Sequence, residues 1–400
     1  MASFNYKAKD ISGTVHEGEI ESADEHSALT ILRKKGLIVI SVKIKNPSRI
    51  NVLNKFFDRV GFGEIVTMTR QLATMVSAGL VLSEAVDILE EQQDNKKLKQ
   101  ILNDISRDLK GGLTLSNSMS RHSIFPPLFV NLIRAGETSG KLDTVLLKLA
   151  DSMEKEREFR ARIKGAMIYP AVVIIMMILV IIIMMTFVIP RLTSLYREST
   201  LELPLPTRIL ISVSDVFVNY WWLMIIFMIG FIFMFRRWVK TPEGKLHFDK
   251  LLLKIPIIGK LLTNVTLTNF NRTFALLTSA GIPLLESINI VGDLTSNSVF
   301  KNALKASYTG VERGLSFSTQ LTALPVFPRI VGQMVRVGEE TGKLDEIFSK
   351  LADYFESESD HLVKNLTVAI EPIVLVILGI GVAFLVISII LPIYKLTTSF

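Results

Sequence analysis

The sequence predicts an all-α polytopic membrane protein of tandem design: two cytoplasmic helical bundles of about six helices each, three transmembrane helices, and a small α/β module at the amino terminus. Three observations carry that prediction. The string GETSGKLD at residues 136–143 returns as GEETGKLD at residues 338–345, a displacement of 202 residues. Apolar runs of about 20 residues, the length that crosses a bilayer, occupy residues 167–189, 216–235 and 368–391. Outside them, apolar residues recur at helical spacing, as in Leu142, Val145, Leu146, Leu149 and Met153, and again in Leu344, Ile347, Phe348, Leu351 and Phe355.

The repeat holds without a gap. The same displacement pairs Arg70 with Arg272, Ser77-Ala78-Gly79 with Ser279-Ala280-Gly281, Phe125-Pro126 with Phe327-Pro328, Pro170 with Pro372 and Pro190 with Pro392. The repeated unit is therefore a polar domain followed by a span. The expected order is an α/β module (1–45), a linker (46–61), the first bundle (62–166), the first span (167–189) and an external loop (190–215). A second span (216–235), a cytoplasmic connector (236–263), the second bundle (264–367), the third span (368–391) and an external tail (392–400) complete it.

Each element has a local reason. Phe4, Tyr6 and Ala8 alternate, Gly13 turns the chain, residues 15–20 alternate less cleanly, 24–35 read as a helix and 38–42 as a short strand. Residues 46–54, with Pro47 and Ser48, read as a linker. Leu98, Ile101, Leu102, Ile105 and Leu109 form a helical stripe. Gly79, Gly281, Gly111-Gly112 and Gly314 suit helix ends, while Pro126, Pro328 and Pro283 suit helix starts. No breaker separates Leu142 from Pro170, so one rod should run from bundle into membrane. Its charged face offers Glu156 with Arg160 and Glu158 with Arg162, i to i+4 pairs worth a few tenths of a kcal/mol, and reads as a solvated face.

Composition narrows the class. A hydrophobic fraction of 49% and a mean hydropathy of +0.40 over 400 residues favour a membrane protein. The start, MASFNYKAKD, has no apolar core of a signal peptide. The absence of cysteine excludes disulfides and thiolate chemistry. Lys155, Arg157, Arg160, Arg162 and Lys164 precede the first span and Arg236, Arg237, Lys240 and Lys245 follow the second, against Arg191, Arg197 and Arg208 between them. That asymmetry predicts a cytoplasmic amino terminus and a carboxyl terminus outside. The net charge of +7 mostly reflects these flanks, which meet lipid head groups rather than nucleic acid.

The repeated string contains Gly-x-x-x-Gly-Lys, but it is not a phosphate loop. The spacing is one residue short, Leu142 and Leu344 stand where a magnesium-binding hydroxyl belongs, and a helix precedes it. Gly136, Glu137, Gly140 and Asp143, with Gly338, Glu339, Gly342 and Asp345, read instead as a tight interhelical turn, each aspartate favouring a helix start. Glu137 with Asp143, or Glu339 with Asp345, could jointly meet a divalent cation, but two carboxylates are too few to assign a cation site. The five histidines are scattered, and no nucleophile and base pair up, so no catalytic, cofactor or metal site is expected. Pro170 and Pro372 are candidate hinges, and Glu371, at the cytoplasmic edge of the third span beside Pro372, is a candidate intramembrane functional residue.

The duplicated GExSGKLD-type motif, the SAG turn, LPLPTRIL at 203–210, KIPIIGKLL at 254–262 and the order of spans resemble the PilC/GspF family over essentially the whole chain. Val39 departs from it, where the family often has proline. The resemblance implies an inner-membrane platform of type IV pilus assembly or type II secretion. It also implies partners: a cytoplasmic hexameric ATPase, a retraction ATPase in a pilus system, pilin or pseudopilin, other inner-membrane assembly proteins and further copies of itself. A small membrane transporter and a membrane-anchored signalling adaptor are the alternatives. The first would need polar midplane groups, which the spans nearly lack, and the second would leave the duplication of bundle with span unexplained.

Overall fold

The computed structural model describes residues 2–9, 15–22, 25–34, 36–44, 60–191 and 204–398. The expected turn at Gly13, the linker at 46–54 and Arg197 lie outside them. The chain divides into two compact units, Met1–Gly61 with Asp87–Asp104 and Phe62–Val86 with Ile105–Phe400. In the first, strand β1 (Ala2–Lys9) lies between β2 (Val15–Ser22) and β3 (Ile38–Ile44), antiparallel to both. Helix α1 (Glu25–Lys34) buries Ala28 and Leu32, one turn apart on a single face.

The helices of the first repeat are α2 (Phe62–Ser77), α3 (Leu82–Glu91), α4 (Lys96–Lys110), α5 (Leu115–Ser120), α6 (Pro127–Ser139) and α7 (Leu142–Ala166). After α7 come α8 (Ile168–Ile183), a π-helical turn (Met184–Val188), α9 (Leu205–Asn219), α10 (Trp221–Val239) and α11 (Pro242–Lys254). The second repeat then supplies α12 (Ile258–Ser279), α13 (Leu284–Leu294), α14 (Ser298–Glu312), α15 (Phe317–Ala323), α16 (Arg329–Thr341) and α17 (Leu344–Thr398). Each repeat thus has the six helices that the sequence predicts.

Corresponding positions fill both cores. Met68, Leu72, Leu115 and Leu146 are buried in the first repeat, and Phe270, Phe274, Phe317 and Phe348 in the second. At these matched positions the first repeat is aliphatic and the second aromatic. In the second, the Phe274 and Phe348 rings stack with centroids 4.8 Å apart, and Phe270 and Phe327 lie 5.3 Å apart. Aromatic pairs of this kind add about 0.5–1.5 kcal/mol beyond the area they bury. These contacts fix α12 along α17, as α2 lies along α7.

Among the described residues, three helices are long and apolar enough to cross a membrane: Leu142–Arg191, Trp221–Val239 and Leu344–Ser388. The chain is a multi-pass membrane protein. The structure corrects several expected boundaries. The second span starts at Trp221, not at residue 216, because Tyr220 leaves helical geometry at φ −119°, ψ 18°. Much of the expected external loop is therefore the separate helix α9, which buries Thr207, Leu210 and Ser214. The Thr207 hydroxyl donates to the Ser388 carbonyl at 2.7 Å, and the Ser214 hydroxyl to Met185 of the π-turn, also at 2.7 Å. A π-turn displaces the regular i to i+4 bonding, so that second bond meets a carbonyl where the ladder is disturbed.

The rod from bundle to membrane runs as one long helix, Leu142–Arg191, as the sequence predicts, with a local irregularity at Met167. Pro170 cannot donate to the carbonyl of Ala166, so the last residue of α7 lacks its next ladder bond. In the second repeat Pro372 sits inside α17, which shows no such irregularity. That helix continues to Thr398, through most of the expected tail. Finally, the connector 236–263 contains α11, and the first helix of the second bundle begins at Ile258 rather than at residue 264.

Candidate functional site

The repeated turn has the same backbone twice. Helix α6 ends at Gly140 with φ 67°, ψ 20°, and α16 ends at Gly342 with φ 70°, ψ 16°. This is the left-handed region, which glycine enters without the clash a Cβ would bring. The Lys141 amide donates to the Gly136 carbonyl, and the Lys343 amide to Gly338, each at 3.0 Å. Those bonds close the helix ends. The first glycine of each motif serves packing instead. A Cβ on Gly136 would stand 3.1 Å from both Leu142 Cα and Val145 Cβ, and one on Gly338 would stand 3.0 Å from Leu344 Cδ2.

Glu137 and Glu339 play the same part in the two repeats. Glu137 accepts from the Leu115 amide at 2.5 Å, the Ser116 amide at 3.3 Å and the Ser116 hydroxyl at 2.5 Å. Glu339 accepts from the Phe317 amide at 2.8 Å, the Ser318 amide at 3.3 Å and the Ser318 hydroxyl. Each carboxylate thus meets the free N–H groups at the start of the short helix before its own. Asp143 is exposed and Asp345 half-buried, both in the first turn of their helices. Among the described residues, no group of three or more His, Asp or Glu is arranged to hold a metal. Pro170 is buried, whereas Glu371 and Pro372 are exposed on α17.

Sequence reasoning missed an ion network that runs between the repeats. In the first repeat, Arg70 bonds both Glu154 and Asp151. One repeat later, Arg272 bonds Glu356. Under the 202-residue displacement Glu154 falls on Glu356, as Arg70 falls on Arg272, and that double match was the available signal. The hydrogen bond from Arg70 holds the Glu154 carboxyl below the usual range, against the opposing effect of burial. The same bond raises Arg70 above its already high value.

The two pairs differ in burial. The Arg272 side chain is 9% exposed and Glu356 15%, against 29% for Arg70 and 39% for Glu154. Phe159 of the first repeat closes over the Arg272 guanidinium at 5.7 Å. Arg162 does not pair with Glu158, as its spacing suggested. It crosses to Glu356 and, at 3.5 Å, to Asp360. Lys148 also crosses, donating to the Ser279 carbonyl at 2.9 Å, where the last carbonyls of α12 need partners. Between these links lies a cleft of about 460 Å³ lined by Asp151, Lys155, Asp345, Glu346 and Lys350. The face read as merely solvated is therefore, in part, the seam between the repeats.

Comparison with known proteins agrees with this duplicated arrangement. A family profile described as "Type II secretion system (T2SS), protein F" matches residues 68–190 and again 270–392, the same displacement of 202 residues. The profile for the amino-terminal domain of that protein matches residues 1–43. The type IV pilus assembly protein PilC of Thermus thermophilus is 38% identical, the alignment covering 99% of this chain and 98% of that one. PilC of Pseudomonas aeruginosa is 34% identical over 91% of this chain and 97% of its own length. The type II secretion system protein F of Xanthomonas campestris is 30% identical over the full length of both chains. With two copies of the repeated domain, the amino-terminal domain and full-length relatives all accounted for, the chain belongs to the type II secretion system protein F family.

Proposed function

We propose that this chain is the inner-membrane platform of a type IV pilus or type II secretion machine, coupling a cytoplasmic hexameric ATPase to the insertion or removal of pilin subunits. The observation that carries the reading is the seam. Arg162 lies on the helix that becomes the first span, six residues before Ile168, and is paired with Glu356, on the helix that becomes the third span. A force applied to either bundle therefore reaches both membrane helices through a charged link and two long helices. The sequence offers no phosphate-binding loop, so the energy has to come from a partner. The repeated turns at 136–143 and 338–345 fix the bundles and take no part in chemistry. The amino terminus is cytoplasmic, the carboxyl terminus is outside, and the working form is a homo-oligomer.

The test is copurification of the full-length protein with the hexameric ATPase of its own system, followed by assembly of pili or secretion in cells. The platform alone should neither bind nor hydrolyse ATP, and Arg162→Glu should retain the ATPase while assembly falls. Normal assembly in cells lacking the chain would end the proposal. Orientation is tested by an export-dependent reporter, active after Leu203 and silent after Lys305. The reverse pattern would overturn the assignment.

A further inference from the structure

The connector after the second span does something that its expected role as a cytoplasmic link does not require. At the inner end of α10 stand Arg236, Arg237 and an exposed Trp238, a combination that marks the level of the lipid head groups. The chain then turns sharply. A Cβ on Gly244 would lie 2.1 Å from the Trp238 carbonyl oxygen, so α11 starts in close contact with that level. Four residues farther along α11, Phe248 packs edge to face on Phe235, their centroids 5.4 Å apart. Phe235 lies three residues deeper in the span than Trp238. Helix α11 thus keeps contact with the end of the span as it leaves it.

Helix α11 ends in an apolar corner. Helices α11 and α12 meet at a bend of 110°, and the pair is apolar enough in length and composition for a re-entrant segment. At the bend Ile257 takes φ 69°, ψ −58°, the only non-glycine residue with positive φ among those described. A β-branched residue is strained there, and such strain persists only where the surroundings impose it. Leu251, Ile255, Ile257 and Ile258 are all exposed, Leu251 by 62%. Lys250, Lys254 and Lys260 flank them and are exposed too.

We infer that the corner 251–258 is an interfacial membrane wedge, its isoleucines in the outer acyl region and its lysines on anionic lipid phosphates. An apolar tip rimmed by lysine is the composition of segments that lie in the interface. Continuity with α10 supplies the location, and the lysines supply the charge complementarity. The wedge is also tied to the second bundle. Asp249 accepts from the Ser298 amide at the start of α14 at 2.7 Å, which fixes that bundle to the membrane surface. The inference rests on the end of the span alone and holds for either orientation.

The natural absence of cysteine makes the test direct. Bimane is attached to the full-length variants Ile257→Cys and Leu251→Cys, with Phe233→Cys in the span and Leu315→Cys in the bundle as references. Each is reconstituted in vesicles of phosphatidylcholine with or without phosphatidylglycerol. At 257 and 251, shallow nitroxide lipids should quench several-fold more, and aqueous iodide several-fold less, than at 315, with deeper burial when phosphatidylglycerol is present. Quenching like that at 315 would overturn the wedge. Equal depth in both vesicles would overturn the anionic-lipid contact. Protection from iodide without lipid quenching, accompanied by disulfides between copies, would assign the corner to a second copy and likewise overturn it. Leu251→Cys keeps the test valid if the strained position 257 does not accept cysteine.

Discussion

Arg162 in the first repeat and Glu356 in the second are joined across 194 residues of sequence. Glu356 simultaneously receives Arg272 of its own repeat, so one carboxylate serves two guanidinium groups that arrive from different copies. The inner arginine is almost wholly buried and the outer one half-exposed, which makes their expected contributions very unequal.

Replacing Glu356 with Ala leaves the Arg272 charge buried without its partner, a change that typically costs about 3–5 kcal/mol. Replacing Arg162 with Ala removes an exposed partner and should cost less than about 1 kcal/mol. Thermal unfolding of the full chain in detergent should therefore show a large fall for the first variant and a small one for the second. Comparable falls would mean that Arg162 carries far more of the seam than its exposure implies.

The pair in the first repeat is more exposed and should show itself through pH. The Glu154 carboxyl is held low in the folded state by Arg70. Its contribution is then complete above the unfolded value of about 4.3 and is lost as pH falls through the lower folded value. With both partners over a quarter exposed, solvent screening keeps that contribution below about 1 kcal/mol. Glu154→Gln should lower the midpoint at pH 7 slightly and flatten its decline on acidification. An unchanged acid slope would show that the pair does not titrate with unfolding.

Much of this structure could be read in the sequence because its signals are local or strictly periodic. The 202-residue echo, the stripe from Leu142 to Met153 and the glycine at each α6-type helix end all act within a few turns or repeat without a gap. What escaped depends on contacts distant in sequence. Glu158 was an available i to i+4 partner for Arg162, and nothing local reveals that Glu356 stands closer. The break at Tyr220 falls within a stretch whose apolarity hardly changes, so hydropathy started the span too early. Glu137 resembled one of a pair of acids because its real partners, the amides of Leu115 and Ser116, leave no trace in side-chain pattern.

Those amides define the next expectation. Glu339→Gln keeps the shape but loses the charge in its bonds to Phe317 and Ser318, and Glu339→Ala leaves the donors unmet. A hydrogen bond to a charged group contributes about 1.5–3 kcal/mol, so the alanine variant should be destabilised by at least that much and the glutamine variant by less. Asp345→Asn should cost no more than about 1 kcal/mol, since it only weakens a helix-dipole contact. A greater loss at Asp345 than at Glu339 would move the structural role from the cap to the helix start.

The turn glycines separate conformation from space. A Cβ built on Gly140 or Gly342 meets nothing within 4 Å, so any cost of substitution comes from the backbone angle and not from a clash with neighbours. A left-handed residue with a Cβ costs about 1–2 kcal/mol, asparagine tolerates the region better, and a β-branched side chain fares worst. Stability at each position should therefore fall in the order Gly, Asn, Ala, Val. At Gly338 the helical angle is ordinary and space is the limit: a Cβ would stand 3.0 Å from Leu344 Cδ2 and 3.3 Å from Leu344 Cα, so Ala requires its neighbours to shift and Asn and Val should both be worse than Ala. Melting temperatures of the two series would decide the matter. If Asn at 342 were as damaging as Val, the left-handed turn would not be the reason for glycine there, and contact with another protein at the turn would have to explain it.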